Sequence, residues 1–225
     1  MKKTIILLVL PHILTSCSLN NSPENKIPGK VNSIKISRDT THLLKKIQGL
    51  YHPNSGEFIN CENGKTYSLK NNNLFDSIYK NILPNAYSDE AVFMDLNSSI
   101  DMKDSNKINF GIGSAFKIER KNQKNDCINS DYWGTGTEPF WQLQISEKEN
   151  LIDFYNPMEQ KTTHFLYSKP EIKNGITIYS SSDKENKINI IIKKEKCNGA
   201  IDSQYDYSVQ ITLNDKKYSG CASKS

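Results

Sequence analysis

The chain has 225 residues, with 29 Lys and Arg against 25 Asp and Glu and a net charge of +4 near neutral pH. Charges of both signs are interspersed, and no basic stripe is concentrated enough to track a phosphate backbone, which excludes nucleic acid as the expected partner. About 200 residues behind a leader are enough for one or two small domains with cores of their own.

Met1-Lys2-Lys3 is a short cationic start, and an apolar run from Ile5 to Leu14 follows, broken by Pro11 and His12. The run falls short of the ~20 apolar residues that a membrane span needs. It fits the hydrophobic region of a signal peptide. Leu14-Thr15-Ser16-Cys17 then reads as a lipobox: an aliphatic residue, two small residues and a cysteine. Small side chains suit a peptidase cleft that grips extended backbone, and a cysteine thiol can accept a diacylglyceryl group. Residues 1–16 are therefore expected to be a signal peptide, with palmitate-type lipid on Cys17 as the membrane anchor. An ordinary secretory signal with a chance cysteine is the competing reading, and the agreement of charge, length and lipobox weighs against it. Two acyl chains meet the two-signal requirement for stable anchoring, at ~0.8 kcal/mol per buried methylene. Ser18, rather than Asp, follows the cysteine. The sorting rule for such proteins then favours the periplasmic face of the outer membrane in a two-membrane cell.

Residues 17–40 read as the lipidated cysteine and a flexible tether, rich in Asn, Ser, Pro, Gly and Lys up to about Lys30. The tether reaches at most ~75 Å. Val31, Ile34 and Ile36 alternate weakly and could add an edge strand.

The first folded unit is expected over 41–127. Ile47–His52 and Glu57–Cys61 are strand candidates around Pro53-Asn54-Ser55-Gly56, a strong turn signal. Asn63-Gly64 predicts a hairpin into Thr66–Lys70. Leu74, Ile78, Tyr79 and Leu83 have helical spacing, so Leu74–Ile82 is predicted as a helix ended by Pro84. Ala91–Leu96 and Lys107–Glu119 are further strands, with Gly111 and Gly113 marking a bulge or bend.

The second unit is expected over 128–222. Trp141, Leu143 and Ile145 share a face, as do Ile152 with Phe154, Ile176 with Ile178, and Ile188, Ile190 and Ile192. Tyr205, Tyr207, Val209, Ile211 and Leu213 give the cleanest period-2 run. Asn174-Gly175 and Asn214-Asp215 are turn signals between runs. Short strands with polar turns predict a mainly β chain of two small antiparallel β-barrel or sandwich domains.

If Cys17 carries lipid, four of the five cysteines remain: Cys61, Cys127, Cys197 and Cys221. An even count in an exported chain suggests two disulfides, and four cysteines allow three pairings. Cys197–Cys221 and Cys61–Cys127 are favoured because each closes one unit; reduced thiols are the alternative. No C-x-x-C occurs, so neither a redox site nor a zinc ribbon is supported. His42, His52 and His164 lie far apart without ligand spacing, so no metal and no cofactor are predicted.

The stretch Asp131-Tyr132-Trp133-Gly134-Thr135-Gly136-Thr137-Glu138-Pro139-Phe140-Trp141 contains a G-T-E-P-F-W signature. It resembles a group of bacterial envelope lipoproteins associated with META-type, heat-shock-inducible lipoprotein domains. Cys197, Tyr205-Asp206-Tyr207-Ser208-Val209 and Gly220-Cys221-Ala222 match the group's later cysteine, aromatic strand and terminal motif, so the resemblance spans about 127–222. Gly49-Leu50-Tyr51 and Phe58-Ile59-Asn60-Cys61-Glu62-Asn63-Gly64-Lys65-Thr66-Tyr67 are similar to the OB-like C-terminal domain of the NlpE lipoproteins, which are linked to copper homeostasis and envelope stress. That resemblance implies an OB-like first unit. The C-x-x-C associated with copper in that family is absent, so metal binding does not carry over. The Cys-x-x-Gly segment also resembles the membrane-bound c-type lysozyme inhibitors, without their Ser-Gly-rich inhibitory loop. These resemblances imply no catalytic residues.

The sharpest local signal is the corner of Trp133, Glu138, Pro139, Phe140 and Trp141. It could be a ligand mouth. The favoured reading is a packing corner, with Trp141 filling the interior and Glu138 accepting backbone N–H bonds, because buried aromatics are mostly packing. No G-x-S-x-G elbow occurs, Asp101 and Asp104 sit in a polar loop, and Gly111-Ile112-Gly113 precedes no helix start. The expectation is a non-enzymatic, membrane-anchored cell-envelope lipoprotein that binds an envelope protein partner, with a link to stress through the resemblance alone. An inhibitor of a periplasmic hydrolase such as lysozyme, and a small-ligand carrier with a barrel cavity, are the alternatives.

Overall fold

Alternating apolar residues dictate most of the strands. In the computed structural model, residues 45–69, 73–100, 107–109, 115–199 and 203–225 are described. Cys17 and the lipobox, the tether with Val31, Ile34 and Ile36, His42, Asp101, Asp104, Gly111 and Gly113 lie outside them.

The chain is mainly β. The first sheet comprises β1 (Lys45–His52), β2 (Glu57–Asn60), β3 (Thr66–Leu69), β4 (Val92–Ile100), β5 (Lys107–Asn109) and β6 (Ala115–Arg120). Its order is β1-β2-β3-β5-β4-β6, and β1 also pairs with β4, so five strands form a ring. β3 and β5 run parallel, and the other strand pairs in this sheet are antiparallel. A helix, α1 (Asn73–Ile82), sits between β3 and β4. This is the connectivity of an OB-like barrel. The Lys107–Glu119 segment is occupied by two strands, both paired with β4.

Ile47, Tyr51, Phe58, Tyr67, Leu69, Val92, Met94 and Leu96 fill the barrel, and Phe75 on α1 packs into it. The partner residues on α1, Ile78, Tyr79 and Ile82, share the apolar face that the helical spacing gives. Leu50 and Phe93 point the other way. They form a small outer cluster with Ile128, covered by Cys61 and Cys127.

The second sheet has nine strands: β7 (Tyr132–Thr137), β8 (Phe140–Ser146), β9 (Leu151–Asn156), β10 (Lys161–Leu166), β11 (Glu171–Lys173), β12 (Ile176–Ser182), β13 (Lys187–Lys193), β16 (Tyr207–Leu213) and β17 (Lys216–Lys224). β14 (Cys197–Asn198) and β15 (Gln204–Tyr205) pair separately. The order is β10-β9-β8-β7-β17-β16-β13-β12-β11. The sheet curls until β10 approaches β12, where Ser181 Oγ donates to Leu166 O at 2.8 Å. Asn174 and Gly175 both take positive φ in the β11–β12 turn, as a tight primed hairpin requires.

The inner face of the curl is packed with Trp141, Leu143, Ile145, Ile152, Phe154, Phe165, Ile188, Ile190, Ile192, Val209 and Ile211. Ile176 and Ile178 share a face, but it is the outer one, and both are half-buried. The core residue of β12 is Tyr179, which sits opposite Ile190. Period 2 sets which residues go together but not which side is the core. Disulfides join Cys61 to Cys127 and Cys197 to Cys221.

Candidate functional site

The residues of the aromatic corner do not share one pocket; Trp133 lines a groove with Asn122, Gln142 and Tyr205. Trp141 is 1% exposed and stacks on Phe154 with ring centroids 6.0 Å apart. Trp133, the next-but-one residue to Thr135 on β7, faces the opposite side of the sheet. Its indole N–H donates to Asp126 Oδ2 at 2.8 Å. Glu138 and Pro139 form the exposed β7–β8 turn, and Phe140, the first residue of β8, is 60% exposed. Glu138 was expected to accept backbone N–H bonds; it is exposed and accepts none from the described residues, because the strand turn carries it away from the sheet.

A cleft of about 460 Å³ lies instead between the two sheets. This is the size of a small-molecule site. One wall is the β2–β3 hairpin with the 83–91 segment; the other is β8, β9 and β10. Strand parity explains its chemistry. Ile152 and Phe154 point into the curl, so Asp153 points out, and Leu143 and Ile145 do the same for Gln144. Asp153 and Gln144 are nevertheless only 8% and 5% exposed, because the first sheet covers them.

Three polar groupings fill this junction. In the first, Tyr87 donates to Asp153 Oδ2 at 2.9 Å, and His164 Nδ1 lies 2.7 Å from Asp153 Oδ1. The Tyr87 and His164 rings stack at 4.1 Å. In the second, Glu90 Oε1 accepts from Thr162 Oγ1 at 2.7 Å and from Arg120 Nη1 at 3.2 Å. The Arg120 guanidinium lies 3.3 Å above the Tyr155 ring. In the third, Lys121 bonds both carboxylate oxygens of Glu149, and Gln144 Nε2 donates to Ser130 Oγ at 2.8 Å and to Glu149 Oε2 at 2.9 Å. At the rim, His52 Nδ1 lies 3.7 Å from Asp89 Oδ2.

Burial pushes the Glu90 carboxyl up against the opposing pull of Thr162 and Arg120, and it pushes Arg120 down although Glu90 opposes. Burial also raises the Asp126 carboxyl, but bonds from Ser130 and Trp133, with Lys121 nearby, outweigh it and the net shift is downward. The hydrogen bond to Asp153 holds the His164 imidazole above its ordinary value; burial opposes, while the charges of Asp153, Glu90 and Asp183 assist.

A raised histidine value in the folded state stabilises the fold fully below the unfolded value, and that contribution is lost as pH rises through the folded value. The stability difference between the wild type and His164→Gln is therefore expected to be larger near pH ~6 than near pH ~9. Urea midpoints for both proteins at the two pH values check this, and an equal difference at both would contradict the His164–Asp153 assignment.

Sequence reasoning placed His52 and His164 far apart, and the structure brings both to this cleft. It overlooked Tyr87, Glu90, Arg120, Lys121, Glu149 and Asp153. One available signal was composition: Arg120 is one of two arginines in a lysine-rich chain. A planar, weakly hydrated guanidinium suits a buried pair stacked on a ring. Among the described residues, no group of three His, Cys, Asp or Glu side chains could hold a metal ion. No described helix is long and apolar enough to cross a membrane.

Fold and cleft together define a mainly β protein with a polar cleft between its two large sheets. No family model matches the chain, and neither curated proteins nor solved structures give a match.

Proposed function

We propose that the chain is a lipid-anchored cell-envelope lipoprotein with a non-enzymatic binding role, and that the cleft between its sheets is the binding surface. The lipobox ending at Cys17 supports the anchor. The single observation behind the binding reading is that the acidic and basic side chains set in the walls of the cleft are committed to one another: Asp153 to His164, Glu90 to Arg120, Glu149 to Lys121. A general base needs a nucleophile or a substrate proton within reach. The His164–Asp153 pair has no serine, threonine or cysteine hydrogen-bonded to the imidazole among the described residues. A small ligand would sit between the sheets, since aromatic side chains occupy the curl.

Two measurements test this reading. Wild-type protein is expected to stay with membranes through an alkaline wash while Cys17→Ala is released; release of both would end the anchor. A photo-crosslinking residue in place of Lys148, at the exposed edge of the cleft, is expected to capture a ligand or envelope protein that one in place of Lys217 on β17 does not. Identical capture at both positions would remove the cleft as the binding surface.

A further inference from the structure

The charged groups in the walls of the cleft are paired: His164 with Asp153, Arg120 with Glu90, and Lys121 with Glu149; at the rim His52 lies beside Asp89, and Lys148 Nζ donates to Ile128 O. A charged ligand would have to displace one member of a buried pair and strand the other, which is costly. Inside the walls, the groups left to recognise a ligand are neutral and polar, and two of them are buried carboxamides.

Asn60, at the end of β2, is 3% exposed. Its Oδ1 accepts from the Glu62 backbone N–H at 2.7 Å, and no acceptor among the described residues takes its Nδ2 protons. Gln144, on β8, is 5% exposed. Its Nε2 is used by Ser130 and Glu149, and no described donor reaches its Oε1. Both residues line the cleft, one from each sheet. A carboxamide carries donor and acceptor capacity side by side, and here the chain uses opposite halves of the two groups. Asn60 is left to donate and Gln144 to accept. Glu90 Oε2 is also buried without a donor. Ile59, Ala91, Ile128 and Leu151 add apolar surface to the same lining.

We propose that the cleft binds an amide group, its carbonyl accepting from Asn60 and its N–H donating to Gln144, with a methyl or small apolar side chain against Ile59, Ile128 and Leu151. The inference rests on the reading of the cleft as the binding surface. Peptide units and N-acetylated sugars both present this chemistry, and the volume of about 460 Å³ admits a fragment of either.

The test is an NMR titration of the full chain in detergent micelles, following the side-chain amides of Asn60 and Gln144. The probes are N-acetyl-alanine methylamide, N,N′-diacetylchitobiose, and the methyl ester of O-acetyl-lactic acid, which has the peptide probe's shape without an N–H. Saturable shifts at both side chains are expected with an amide probe, and the probe that gives them names the source. The ester is expected to bind at least about tenfold more weakly, as is the amide probe to Asn60→Asp, which keeps the acceptor and removes the donor. Thr66 is exposed at the cleft mouth, so Thr66→Trp is expected to obstruct the site without entering the core. Absence of shifts with both amide probes, equal binding of the ester, or unchanged affinity in both variants would overturn the amide assignment. If crosslinking from Lys148 still captures a partner, only the amide chemistry falls; if that capture also fails, the cleft reading falls with it.

Discussion

Trp141→Ala is expected to lower the unfolding free energy by about 3–5 kcal/mol, the range for deleting a large buried aromatic. The indole lies across β7 and β17, on positions that have no side chain. A Cβ at Gly136 would meet Trp141 Nε1 at 2.1 Å, and one at Gly220 would meet Thr135 O at 2.1 Å and the Trp141 ring at 2.7 Å. The glycines of the G-T-G-T-E-P-F-W and G-C-A stretches are thus the floor on which the tryptophan rests. Removing the indole leaves a hole bounded by strand backbone, which collapses poorly. Gly136→Ala should destabilise in the same direction, because backbone and ring cannot both give way. Urea unfolding of the two variants checks the account, and a Trp141→Ala protein with an unchanged midpoint would refute the packing role.

Breaking Cys61–Cys127 is the second large effect. The bond closes a span of 66 residues that contains most of the barrel. On chain entropy alone, a loop of that size gives about 4 kcal/mol. The disulfide also covers the outer cluster of Leu50, Phe93 and Ile128 and fixes the segment that leads into β7. Cys61→Ser combined with Cys127→Ser is expected to lose about that much stability in oxidising buffer. In excess reductant the wild type should fall towards the double variant. A difference below about 1 kcal/mol would mean that the unfolded chain is already constrained there.

Much of the fold was legible because local patterns state it. The runs Ile188-Asn189-Ile190-Ile191-Ile192 and Tyr207 to Leu213 show strands by parity, and Asn63-Gly64 and Asn174-Gly175 mark turns where the structure has positive φ. The helix followed from the spacing of Leu74, Ile78, Tyr79 and Leu83, together with Pro84. The cleft was not legible, for a physical reason. Asp153 and Gln144 occupy the outward parity of their strands, where a polar residue reads as solvated. Only the docking of a second sheet, set by contacts across tens of residues, turns that surface into an interior. Tyr87 and Glu90 lie in a connecting segment without periodicity, so nothing in their neighbourhood announces that they meet His164 and Arg120. Trp133 and Trp141 were conspicuous in the sequence because packing demands them, and conspicuous residues drew attention from the sparse polar ones.

The pairing of β17 with β7 joins the last strand of the curled sheet to its first, with Cys221 opposite Thr135 and Lys224 opposite Tyr132. The two ends of that sheet's sequence are therefore neighbours in space. The β17–β7 contacts are long-range in sequence, which makes for slow folding. A ribosome releasing the chain from its N-terminus delivers β7 long before β17, the strand that completes its ladder. Until then the β7 edge stands open to other chains, a state prone to aggregation. The same adjacency makes the domain a candidate for circular permutation: linking Lys224 to Tyr132 and opening the β11–β12 turn at Asn174-Gly175 would turn the β17–β7 seam into an ordinary hairpin.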